Sequence, residues 1–74
     1  MKGEVGLSWR MEEGKSMAEN AVLALRRHEF RYGQKATVLN ANPEDLKEPL
    51  VVEGITIIPA ISCQKNHLFV GRKI

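Results

Sequence analysis

Cys63 and His67, four residues apart in the stretch CQKNH, are the first pair in this chain whose types and spacing suit chemistry. A thiolate and an imidazole are good ligands for zinc or copper, and His28 is the one other residue of either type. A structural zinc site takes four ligands, so a site here would need a carboxylate, a water or a second subunit. The simpler expectation is that Cys63 fills a small apolar space at a strand end while His67 flanks a turn. Gly14-Lys15-Ser16 has the ending of a phosphate-binding loop, but that motif wants a glycine five positions before Gly14, where Trp9 stands. What survives is an anion contact of the kind many helix starts offer. The acids Glu12, Glu13, Glu44, Asp45 and Glu53 are scattered, with no partner that spacing can identify for proton transfer. Arg26, Arg27, Arg31 and Lys35, interleaved with Phe30 and Tyr32, have the composition of a nucleic-acid surface, where cations meet phosphates and rings stack on bases. The competing explanation is a set of cations at the negative end of a helix dipole, with their stems lying over the core. Binding is therefore expected rather than catalysis, with no cofactor.

These residues must be held by a small frame. The chain has 74 residues, one domain at most, and domains near that size bury only about 60% of their unfolded surface. A hydrophobic share of 43% places it among folding chains. The net charge of +2 is too small to argue for a polyanion by itself. A single cysteine rules out an internal disulfide and points to a reducing cytoplasm. Nowhere do about 18 apolar residues run together, as a membrane span requires, and no signal-peptide core precedes the first element.

Val5, Leu7 and Trp9 recur at period two and predict a strand over residues 4–9. Ser16 and Glu19 form a capping box, after which Met17, Ala18, Ala21, Val22 and Leu25 make one helical stripe. Asn20, Arg26 and Arg27 fall off that stripe, Arg26, Arg27 and His28 suit the last turn, and Tyr32-Gly33 is a stop. Residues 36–41 read as a second strand, Pro43 to Leu46 as one helical turn, and residues 51–61 as a third strand with an interruption at Glu53-Gly54. His67 to Val70 is expected to pair back as a fourth strand. The fold class is thus α+β, in the order β-α-β-β-β, with one main helix on a small mixed sheet. Its first two strands are expected to be parallel neighbours, and its last two an antiparallel hairpin.

The segment from Ala36 to Gly71, ATVLNANPEDL, then VVEGITIIPAI, then HLFVG, resembles the second half of thioredoxin-like proteins. Gly54-Ile55-Thr56-Ile57-Ile58-Pro59-Ala60 is similar to the family's glycine-to-proline run, with one extra residue before the proline. The resemblance implies a reduced thioredoxin-like fold, a cis Ile58–Pro59 bond and a peptide-contacting surface made by Ile58 and Pro59 with Trp9 and Arg10. Its reactive Cys-x-x-Cys would fall in WRMEEGKS, residues 9–16, which holds no cysteine, so dithiol–disulfide exchange is excluded. The family's closing helix has no counterpart before Ile74. The expected partner is another protein or a second copy of the chain, joined through residues 55–61 or the terminal hairpin. Nucleic acid is the alternative, and no membrane is involved.

Overall fold

The computed structural model describes residues 4–73. Strand β1 (Glu4–Arg10) leads into helix α1 (Met17–Tyr32), followed by β2 (Val38–Ala41), β3 (Leu50–Val52), β4 (Ile55–Pro59) and β5 (His67–Lys73). One helix therefore packs on one mixed sheet, as the spacing of apolar residues predicts.

The helix begins where its caps dictate. The Ser16 hydroxyl accepts from the Glu19 amide at 3.1 Å, and the Glu19 carboxylate accepts from the Ser16 amide at 2.8 Å, satisfying two donors that the first turn leaves free. It ends at Gly33, whose φ of 70° is left-handed and whose N–H reaches the Glu29 carbonyl at 2.7 Å. Arg31 alone of the basic residues lies in the last turn. Arg26, Arg27 and His28 stand further back, and His28 is fully buried rather than facing solvent beside the dipole.

The sheet order is β1-β5-β2-β4-β3. β2 and β4 are parallel, while β1 with β5, β5 with β2 and β3 with β4 are antiparallel. Two expectations change here. β1 and β2 run in the same direction but are not neighbours, because β5 enters the gap and pairs with both. There is no terminal β4–β5 hairpin either. The hairpin lies one step earlier, within residues 51–61, where Glu53 (φ 51°) and Gly54 (φ 79°) form a two-residue left-handed turn between Val52 and Ile55. The interruption foreseen at Glu53-Gly54 is thus a full reversal.

The close β1–β5 contact depends on two glycines facing each other. A Cβ on Gly6 would strike the Val70 carbonyl and lie 2.6 Å from Gly71 Cα, and a Cβ on Gly71 would strike the Val5 carbonyl. The Phe69 ring lies across both.

Pro59 closes β4. No cis peptide occurs among the described residues, so Ile58–Pro59 is trans, contrary to what the thioredoxin resemblance implies. Nor does Pro59 mark an edge, since β4 lies between β2 and β3. Ala60 donates to the Ala41 carbonyl of β2 at 2.7 Å, so by alternation the Pro59 nitrogen faces the β3 side. β3 pairs only from Leu50, opposite Ile57, and the missing N–H therefore breaks no ladder bond.

The core lies between α1 and one face of the sheet. Ala21, Ala24 and Leu25 of the helix meet Leu39, Ala41, Val52, Ile57, Leu68 and Val70. Leu7 and Trp9 of β1 complete it from the edge.

Candidate functional site

Side chains alternate along each strand, so the pairing register also defines the face that α1 does not cover. Ser8, Phe69, Asn40 and Ile58 form one row across it, and Gly6, Gly71 and Val38 another, which Thr56 and Val51 continue toward the edge. Val38, Asn40, Thr56, Ile58 and Lys73 line a shallow depression there. Ile58 is 46% exposed and Val51 64%, large apolar side chains that no second layer covers. Neither β4 nor β5 has a free edge, so what these strands offer a partner is this face.

The four residues of the expected peptide surface are divided. Ile58 and Arg10 lie on the uncovered face, while Trp9 and Pro59 fall on the helix side. All four stand at the same end of the sheet, but β5 and β2 separate β1 from β4, three strand spacings or about 14 Å. Trp9 packs against the core as its bulk suggests, with its Nε1 buried and unpartnered.

The loop between β1 and α1 is organised by Asn20, a residue the periodicity places outside the apolar stripe. Asn20 is 2% exposed. Its Oδ1 accepts from the Glu12 amide at 2.7 Å, and its Nδ2 donates to the carbonyls of Glu12, Lys15 and Ser16 at 3.1 to 3.4 Å. The Ser16 amide and hydroxyl are both taken by the capping box. The Gly-Lys-Ser remnant consequently has the Ser16 amide donor and the Ser16 hydroxyl acceptor committed to holding the chain. The signal in the sequence is an asparagine one turn past a cap, with several backbone groups within its reach.

Cys63 is buried, and its thiol donates to the carbonyls of Asn40 at 3.5 Å and His67 at 3.4 Å. Burial pushes its pKa up, which keeps it a thiol rather than a thiolate. The His67 ring turns to the Lys65 carbonyl at 2.8 Å. Among the described residues no three His, Cys, Asp or Glu side chains gather at a metal-binding distance. Asn42 ties the loop before β5 down by donating to the Cys63 carbonyl at 2.8 Å.

The basic set splits as well. Arg26 faces the β3–β4 turn and pairs with Glu53 at 3.8 Å, and Lys35 shares a cleft with it beside Glu29 and Ile55. Arg27 and Arg31 lie on the opposite flank, because successive helical residues are 100° apart. There Arg27 approaches the Phe30 ring and Arg31 the Tyr32 ring, each at 5.9 Å from the centroid. Arg72 of β5 reaches the same Tyr32 ring at 5.2 Å, a neighbour 40 residues on that helical spacing cannot reveal. The Tyr32 hydroxyl donates to the Gly6 carbonyl at 3.1 Å. Thr37 takes the Gly71 carbonyl toward β2, so Gly6, which pairs with Gly71, turns its own carbonyl away from β5 toward the free edge. Tyr32 therefore guards the longer of the two sheet edges.

No helix among the described residues is long and apolar enough to cross a membrane. No protein-family profile, curated protein or solved structure matches the chain.

Proposed function

We propose that this is a protein-binding domain whose working surface is the uncovered face of the sheet around Val38, Val51, Ile58 and Phe69. One observation carries the reading: among the described residues a five-stranded sheet has its only helix on one side and presents large apolar side chains on the other. A sheet face with apolar residues gains stability when a second layer excludes water from it, and covering the exposed 46% of Ile58 contributes about 1 kcal/mol. A flat, largely apolar surface of another polypeptide supplies that layer. In this reading the protein works in the cytoplasm and Cys63 has no redox role, which its burial and its two carbonyl contacts support.

Ile58→Glu places a charge in the middle of the surface while leaving the helix-side core intact. Affinity capture with the wild type should retain a protein that Ile58→Glu loses at unchanged circular dichroism and that Arg26→Gln keeps. A dimer in sedimentation that Ile58→Glu dissolves would identify the second layer as another copy. A monomer whose captured proteins are the same with and without the substitution would rule the reading out.

A further inference from the structure

Near the C-terminal end of α1, Arg31 and Arg72 approach the Tyr32 ring, and Arg27 approaches the exposed ring of Phe30. Among the described residues the ion pairs are Arg26 with Glu53 and Lys65 with Glu44, and neither involves Arg27, Arg31 or Arg72. Phe30 is 82% exposed, with the Arg27 guanidinium near its ring. Arg72 also has a buried Nη1 that finds no hydrogen-bond acceptor among the described residues. The platform behind them is firmly held: the Tyr32 ring packs against His28 with centroids 4.7 Å apart, and its hydroxyl is anchored to Gly6.

We propose that Arg27, Phe30, Arg31 and Arg72 form a site for single-stranded nucleic acid, with a base stacking on Phe30 and phosphates meeting the guanidiniums. A base has a flat π-face for an exposed ring, and guanidinium groups suit phosphate oxygens through several parallel donors. An acidic peptide would satisfy the arginines but gives Phe30 no flat partner. Arg26, one turn before Phe30, is engaged by Glu53 instead, and Lys35 lies in the cleft beside that pair. The surface is also separate from the uncovered sheet face, so either can fail without the other.

The test is fluorescence anisotropy of labelled single-stranded RNA and DNA of about 12 nucleotides, titrated with the full chain between about 50 and 200 mM salt. Three neutralised phosphates predict that log K falls with log salt at a slope of about −2. Phe30→Ala should weaken binding about tenfold with the slope unchanged. Arg27→Gln and Arg31→Gln should each reduce the slope by about 0.7. Arg26→Gln should leave both quantities unchanged, and circular dichroism of every variant should match the wild type. Absence of binding at the lowest salt, an undiminished affinity in Phe30→Ala, or equal losses from Arg26→Gln and Arg27→Gln would overturn the proposal. Tighter binding of polyglutamate than of either nucleic acid would overturn it in favour of an acidic protein partner.

Discussion

Ile57 and Ile58 are the same residue, adjacent in the same strand, yet one has no exposed surface and the other is 46% exposed. The difference is the pleat: Ile57 points under α1 with Leu39, Leu68 and Val70, and Ile58 points to the side with no second layer. One face of the sheet therefore contributes most of the folding free energy, and the other is available to something outside the chain. The division also explains why a chain this short has large apolar side chains left over. A single 16-residue helix is about 24 Å long and covers only one side.

Truncation tests this comparison most strongly. Ile57→Ala should destabilise the protein by about 2–5 kcal/mol, read as a fall in the urea midpoint or in Tm. Ile58→Ala should cost less than about 1 kcal/mol in the same measurement. Similar losses from the two would mean that the uncovered face is packed in solution. Gly71 gives the next largest effect and sharpens the contrast, because it lies on the uncovered face yet has no room. Gly71→Ala would drive a methyl against the Val5 carbonyl and should cost about 1–3 kcal/mol, while unchanged stability would mean that β1 and β5 part easily. The smallest effect belongs to neither face. Ser16→Ala removes the helix cap and should cost about 1 kcal/mol.

The same cap predicts an acid dependence. The Ser16 backbone amide, more than the nearby Lys15 charge, holds the Glu19 carboxyl below the usual glutamate value. Its contribution is therefore present at neutral pH and is lost as pH falls from the ordinary glutamate value through the lowered one. Glu19→Gln keeps an acceptor that does not titrate, so its Tm should fall less than the wild type's between neutral pH and pH of about 3. An identical acid-side fall in the two proteins would show that the capping contact is not populated.

The parts legible in the sequence are those whose causes are close together along the chain. Ser16, Glu19 and Gly33 bound α1 as read, and the apolar alternation of Val5, Leu7 and Trp9 marked β1. Glu53-Gly54 was visible as an interruption, though Glu53 in a left-handed conformation, which favours glycine or asparagine, disguised a hairpin turn. The buried polar residues were hidden because composition suggests that asparagine and histidine face water. Asn20 is buried because it takes up backbone groups of a loop folded over it, and His28 because the Gln34 carbonyl lies 3.0 Å from its Nδ1. The first candidate site, Ile58, Pro59, Trp9 and Arg10, is divided between the two faces of the sheet, and the alternative basic set, Arg26, Arg27, Arg31 and Lys35, is a group close in sequence from which Arg26 turns away to Glu53.

By itself the sequence determined the helix and its ends and the stretches that form strands, though not that residues 51–61 hold two of them, since each follows from residue types or from contacts within a few positions. Tertiary structure alone decided that β5 lies between β1 and β2, that β4 is interior, that Arg72 joins Arg27 and Arg31, and which face of the sheet stays bare. Strand pairing joins residues far apart in the chain. Period two tells which residues share a face, but not which strand will be their neighbour.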